Sequence, residues 1–301
     1  MTRIALKPIA EQTVVIVGAS SGIGRATALA FAAQGARLFL TARDGDALDN
    51  LATELRASGN SVEWLAMDTA DYDAVQLTGA RAVAAFGHVD TWVQVAGLGT
   101  YSTFAELTPA DFRRVIDVDL CGAAYGAMVA LPLLRQQGGA LIVVSSIEAE
   151  VGLPFQSAYA AAKHGVQGFV DVLRMELEHE AIPVAVTSIK PAPINTPFFS
   201  SVATRLGVRP RAIPPVYPPE QVAAAIVRAA RKPRAEVIVG GVGYILVWSK
   251  RLMPRLTDRL LGRFVYEAQL TDRPTVPDDR GNLDTPVHDT RISAKALSGA
   301  D

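Results

Sequence analysis

The feature that most limits the fold is the run Val14-Val15-Ile16-Val17, followed by Gly18-Ala19-Ser20-Ser21-Gly22-Ile23-Gly24 and an alanine-rich stretch, Ala26 to Ala33. A short apolar run closed by glycine reads as a strand buried on both faces. The alanine-rich stretch favours helix. A strand buried on both faces needs neighbouring strands and covering helices, which implies layered α/β architecture. Glycines also let backbone approach an anion, and the first N–H groups of a helix point at it. The spacing is G-x-x-x-G-x-G rather than the commoner G-x-G-x-x-G, and taken alone it also describes a tight turn.

The rest of the chain repeats the alternation. Strands are expected near 13–17, 37–42, 61–66, 89–95, 139–145, 183–189 and 235–239, with helices near 22–34, 45–58, 71–86, 109–137, 157–181 and 219–231. Right-handed crossovers then give a doubly wound parallel sheet (Rossmann-like) with helices on both faces and a ligand crevice at the carboxyl ends of the strands. The 301 residues suit one large domain or two small ones, and 50% apolar content supports a sizeable core. Net charge is −1 and the basic residues before 250 are dispersed, so no nucleic-acid surface is expected. Cys121 is the only cysteine, which excludes an intrachain disulfide. The first twelve residues lack the apolar centre of a signal peptide, and no uncharged apolar run reaches 18 residues. The expected location is cytoplasmic.

Tyr159 and Lys163 are four residues apart in an expected helix, on one face, with Ser146 thirteen residues before Tyr159. A tyrosine hydroxyl is a poor acid or base near neutrality, but an ammonium beside it favours the phenolate. With a serine hydroxyl to hold a substrate oxygen, these groups suit proton transfer at a carbonyl or alcohol.

Together the two motifs resemble the short-chain dehydrogenase/reductase family, over roughly residues 10–242. Gly18, Gly22 and Gly24, with Ser20, Ser21 and Ile23, match its cofactor loop. Ser146, Tyr159 and Lys163 match its catalytic serine and Y-x-x-x-K; Ser145 competes for the serine role, but the thirteen-residue spacing favours Ser146. The resemblance implies reversible hydride transfer between a nicotinamide cofactor and a small-molecule carbonyl/alcohol pair. Tyr159 would move the proton, Ser146 orient the oxygen, and Lys163 lower the tyrosine pKa and bind the nicotinamide ribose. Pro191 to Thr196 resembles the family's post-strand segment, so Thr196 and the backbone near Ile194 would hold the carboxamide. Asp68, followed by Thr69, matches the adenine-contacting position, and a helix cap is its alternative reading. A homo-oligomer, dimer or tetramer, is expected.

Two positions depart from the family. Gln94-Val95-Ala96-Gly97 replaces N-N-A-G; Ala96 and Gly97 still allow close approach to the cofactor, and Gln94 can supply part of the missing asparagine bonding. Asp119 stands where the family has its fourth catalytic residue, an asparagine. An ionised aspartate cannot donate a hydrogen bond, and its charge opposes a phenolate. This supports a rival reading, a nucleotide-binding regulatory protein with weak catalysis.

At the end of the second strand, Ala42 occupies the place where NAD enzymes carry an acid, and Arg43 follows. A guanidinium suits a 2′-phosphate, so NADP(H) is favoured over NAD(H); a solvated surface arginine is the plainer reading. Asp44 or Asp46 is expected to cap the next helix.

The reading divides the chain at 242, with 1–242 as the dinucleotide-binding and catalytic domain and 243–301 as a C-terminal amphipathic helical extension and polar tail. Residues 197–218 read as a mobile cap or an irregular surface connection. Within 244–268, Arg251, Arg255, Arg259 and Arg263 form a stripe beside Leu252, Leu256, Leu260 and Phe264. This suits either an anionic membrane surface, and with it a membrane-associated scaffold, or a helix covering its own domain or a partner subunit. The second is favoured because most amphipathic helices cover a core. Pro254 starts or kinks the helix. Residues 271–301 read as an extended or disordered arm. Leu98, Leu153, Phe155, Phe198 and Phe199 suggest a lipophilic substrate. Glu148 and Glu150 follow the serine in an expected loop, where they could select a polar substrate or, as is more common, be solvated carboxylates. The four histidines show no metal-ligand spacing, so no metal is expected.

Overall fold

The computed structural model describes residues 4–293. The N-terminal unit is β1 (Thr13–Val17), α1 (Gly22–Ala32), β2 (Arg37–Ala42), α2 (Gly45–Ala57), β3 (Val62–Ala66), α3 (Tyr72–Phe86) and β4 (Thr91–Gln94). A two-residue strand β5 (Thr100–Tyr101), α4 (Pro109–Ile116), a π-helical turn (Asp117–Cys121), α5 (Gly122–Leu134), β6 (Gly139–Val144), α6 (Ser157–His179) and β7 (Val184–Pro191) follow. Then come α7 (Phe198–Ser201), β8 (Ala203–Thr204), α8 (Pro219–Ala229), β9 (Glu236–Val239), α9 (Gly241–Leu252) and α10 (Pro254–Leu260).

Seven strands form one parallel sheet in the order β3-β2-β1-β4-β6-β7-β9. The order reverses between β1 and β4, which opens a crevice at their carboxyl ends. Alternation within β1 builds both layers. Val14 and Ile16 join Phe31, Leu48, Leu51 and Ile226 on one face. Val15 and Val17 join Val75, Ala127, Val166 and Val170 on the other. Each large side chain buried this way contributes roughly 1.5–3 kcal/mol.

The stretch expected as one helix over 109–137 carries a π turn at Asp117–Cys121. That extra residue per turn is a local distortion often found at functional sites. Pro109–Leu134 contains an 18-residue window with a mean hydropathy of 1.4 and has the length to cross a membrane. Here it belongs to the fold, with Ala123, Ala127, Ala130 and Leu134 packed against the sheet.

Three expectations for the C-terminal third need correction. First, residues 197–218 are pinned: β8 pairs with β5, and Arg205 bridges Asp111 at 2.8 Å and Asp278 at 2.9 Å. Second, the polar stretch after 271 lies against the domain as far as residue 293, with Leu283 fully buried beside Leu98 and Val115. Its charges have partners, such as Arg280 on Asp111 at 2.8 Å and Arg209 on Asp279. Residues 294–301 of the expected arm lie outside the described residues. Third, the leucine stripe of 244–268 is not buried against its own domain. α9 ends before Met253, α10 restarts at Pro254, and the buried face is Val247, Thr257 and Leu261. Leu252, Leu256, Leu260 and Phe264 lie on exposed surface.

Candidate active site

β6 ends two residues before Ser146, and α6 carries Tyr159 and Lys163 in its first two turns. Ser146 Oγ accepts the Glu148 N–H at 3.1 Å and lines one cavity with Tyr159 and Lys163. Ser145 shares the cavity wall, but its hydroxyl has no partner among the described residues. Lys163 Nζ is 5.2 Å from the Tyr159 ring centre and 3.0 Å from Asp119 Oδ2. The π turn presents that carboxylate, whose other oxygen accepts the Leu98 N–H at 2.6 Å. Gly97 makes the approach feasible, since a Cβ there would sit 3.0 Å from Asp119 Oδ2 and 3.5 Å from Lys163 Nζ.

Burial pushes the Tyr159 phenol up to about 12; Lys163 opposes this, while Glu148 and Asp119 add to it. Burial alone would lower the Lys163 pKa, but Asp119 and Tyr159 hold it above its ordinary value. The Asp119 carboxyl is pushed up by burial and drawn back by Lys163 and the Leu98 N–H.

Of the two readings of Glu148, the solvated loop carboxylate needs correction. It is buried, not solvated, and lines the cavity with Ser146, Tyr159 and Lys163. Burial raises its carboxyl to about 8, with Lys163 and the Leu153 N–H opposing. One of its oxygens has no partner among the described residues. Glu150 turns away and bridges Lys190 at 2.6 Å and Arg251 at 3.0 Å. The cavity, about 160 Å³, is otherwise lined by Ile147, Leu153, Phe198, Phe199 and Ile213, with Gln156, Gln269 and Arg211. Of the other expected apolar contacts, Leu98 lines the neighbouring crevice and Phe155 packs on Tyr266 with ring centres 4.2 Å apart.

The crevice gathers Gly18, Ser20, Ser21, Gly22, Ile23, Gly24, Arg43, Asp68, Thr69, Ala96, Gly97 and Thr196. Pro191 and Ile194 line the adjoining catalytic cavity. The residues fit a dinucleotide. Gly18 has φ +94°, and a Cβ there would meet Ala96 N at 2.6 Å; a Cβ on Gly24 would meet Gly18 O at 1.8 Å. Only bare backbone lets these segments close into a cradle. Gln94 donates to Thr69 Oγ1 at 3.0 Å, tying the end of β4 to the segment after β3. Asp44 caps α2 by accepting the Ala47 N–H at 3.0 Å.

The adenosine end is crossed by the C-terminal segment. Arg43 donates to the carbonyls of Asn282 (2.5 Å), Leu283 (3.0 Å) and Asp284 (3.3 Å). The Gly22 N–H donates to the Arg291 carbonyl at 2.9 Å. Pro286, Val287 and Asp289 add to the crevice wall. Asp68 lines the crevice, is paired with Arg114 and accepts the Ala70 N–H at 2.9 Å; it is not a helix cap, because Asp71 caps α3.

The family profile described as short chain dehydrogenase matches residues 12–206. Uncharacterized oxidoreductase YxnA of Bacillus subtilis is 37% identical over 287 residues, covering 94% of this chain and 80% of that protein. Dehydrogenase/reductase SDR family member 7B of Bos taurus is 34% identical, covering 84% and 81%. The alcohol dehydrogenase of the archaeon Thermococcus sibiricus, solved with 5-hydroxy-NADP, superposes with a TM-score of 0.67 at 27% identity, over 76% of this chain and 95% of that one. A short-chain dehydrogenase/reductase of Burkholderia phymatum, solved with NAD, shares the fold with a TM-score of 0.75 at 23% identity, over 90% and 100%. With the glycine cradle, the shared cavity of Ser146, Tyr159 and Lys163 and these relatives in agreement, the chain belongs to the short-chain dehydrogenase/reductase family of nicotinamide-dependent oxidoreductases.

Proposed function

We propose that this protein interconverts a lipophilic ketone or aldehyde and its alcohol with NADP(H). The observation that carries the reading is that Ser146 and Tyr159 line one buried cavity with the Lys163 ammonium 5.2 Å from the tyrosine ring centre. The cofactor, when bound, supplies or accepts the hydride. In reduction Tyr159 gives its proton to the substrate oxygen, and Ser146 holds that oxygen. Lys163 stabilises the phenolate left behind, and Asp119 holds Lys163 in place. Asp119, Lys163 and Tyr159 thus act as one charged unit shielded from water.

The NADP(H) preference rests on Arg43 beside Ala42 at the crevice mouth. The Arg43 direct hydrogen bonds go to carbonyl oxygens, which a phosphate can replace. Ile147, Leu153, Phe198 and Phe199 support a lipophilic substrate. A homo-oligomer is supported by Met128 on α5 and by Val172 and Met175 on α6, all exposed. A cytoplasmic location accords with the single, unpaired Cys121. A panel of ketones and alcohols assayed with NADPH and NADH, following the reduced nicotinamide by absorbance, tests the reading. Turnover of an apolar ketone faster with NADPH is the expected result.

The second reading, a nucleotide-binding protein with weak catalysis, draws on the two buried carboxylates that raise the Tyr159 pKa. Dinucleotide binding without turnover of any member of the panel would select it.

A further inference from the structure

The inner face of the C-terminal helices is anchored. Val247 and Leu261 pack with Ile147, Val151 and Leu153 on the loop that follows Ser146. The outer face of the same helices is apolar and uncovered: Ile245 is 66% exposed, Leu252 72% and Phe264 62%, with Trp248, Met253 and Leu260 between them. A group of large exposed apolar side chains of this extent marks an interaction surface.

The charges around this face identify the partner. Residues 244–268 carry five cations and two carboxylates in a chain whose net charge is −1. Lys250 pairs with Asp258, and Arg251 with Glu150. Arg255, Arg259 and Arg263 are exposed and make no salt bridge among the described residues. Arg251 lies 5.7 Å over the Trp248 ring and Arg263 lies 5.6 Å over the Phe264 ring, so cations border the aromatic groups. Apolar side chains, a tryptophan and a rim of unpaired arginines suit the boundary between acyl chains and anionic headgroups. The helices have 12 and 7 residues, too few to span a bilayer but enough to lie on one. A second copy is a poorer occupant, because a two-fold contact would bring two arginine-rich patches together.

We infer that the outer face of α9, α10 and the turn after them docks on an anionic lipid bilayer. The helices behind this face pack on Ile147 and Leu153, which line the catalytic cavity together with Gln269 just beyond the helices. Docking therefore sets the cavity wall close to the lipid surface.

The test is sedimentation of the full chain with vesicles of phosphatidylcholine alone and with vesicles in which a third of the lipid is phosphatidylglycerol. Binding to the anionic vesicles and little to the neutral ones is expected. Leu252→Asp combined with Phe264→Asp should abolish binding while leaving the melting temperature unchanged, since both side chains are exposed. Each arginine near an anionic surface contributes roughly fivefold, so Arg255, Arg259 and Arg263 changed together to Gln should weaken partitioning roughly a hundredfold. Failure of the wild-type chain to sediment, equal binding to both vesicle types, or retention of both variants would overturn the proposal. So would a solution dimer that the Leu252→Asp, Phe264→Asp variant dissociates. None of these outcomes depends on turnover.

Discussion

The two ends of the crevice are built in opposite ways. At the catalytic end, core elements close on themselves: β6 sets Ser146, α6 sets Tyr159 and Lys163, and the π turn brings Asp119 to 3.0 Å from Lys163. At the adenosine end, the core leaves donors to be satisfied from outside, and the C-terminal segment satisfies them. Gly22 N–H meets the Arg291 carbonyl, and Arg43 meets the carbonyls of residues 282–284. One end is fixed by local geometry, while the other holds groups that a dinucleotide and the chain's own tail would share. Chemistry and cofactor affinity should therefore respond to different mutations.

The largest expected effect is at the catalytic end. Tyr159→Phe removes the proposed proton donor without touching the glycine cradle. Turnover should fall by roughly 10²–10⁴, the usual contribution of a positioned acid or base, with dinucleotide affinity preserved. Near wild-type turnover would break the mechanism.

At the other end, Arg43→Ala should leave chemistry intact and act on binding. Loss of a charge-assisted contact of roughly 1.5–3 kcal/mol should weaken NADPH binding about 10- to 150-fold and NADH binding much less. Equal losses by titration would remove the 2′-phosphate from the Arg43 role. Ending the chain after Asp284 keeps Leu283 and the Arg43 carbonyls but releases the Gly22 N–H from Arg291. One freed hydrogen bond corresponds to roughly tenfold tighter dinucleotide binding, with the same kcat. Unchanged or weaker affinity would mean that the segment beyond 284 does not compete with the cofactor.

The same division governs what the sequence could reveal. The glycine cradle and the Tyr159–Lys163 pair were legible because fixed local spacings place them on one turn or one helix face. The role of the tail was not legible. Its aspartates and arginines look solvated, and only the fold shows that Arg280 meets Asp111 and Arg205 meets Asp278. The burial of Glu148 was not legible for the same reason: loop position suggests solvent, whereas Tyr101, Phe199 and Gln269 share its cavity from far away in sequence. In 244–268 the pattern revealed two faces but not which one is covered. The break at Pro254 and the buried set Val247, Thr257 and Leu261 decide that, and they leave the leucines outside. Asp119 stands out in the sequence by its charge, but the π turn that aims it at Lys163 has no signature there.

Asp119→Asn should give the smallest change at the catalytic end. Burial is the main reason that the Tyr159 phenol stands at about 12, and Asp119 contributes less than Glu148 does. Removing the Asp119 charge therefore lowers the tyrosine pKa while leaving most of the shift in place. Alcohol oxidation needs the phenolate and rises with pH toward the tyrosine pKa, so the rising limb of the oxidative profile should move to lower pH. Lys163 loses the carboxylate that holds its own pKa up, yet it remains the nearest cation to the phenol. Glu148→Gln removes the larger carboxylate contribution, which is present only above the Glu148 pKa of about 8. In the alkaline range it should move the same limb further than Asp119→Asn does. Profiles of kcat for alcohol oxidation in the two variants test that order. A larger shift from Asp119→Asn would make the Asp119–Lys163 pair, and not the burial shared with Glu148, the main control on the proton carried by Tyr159.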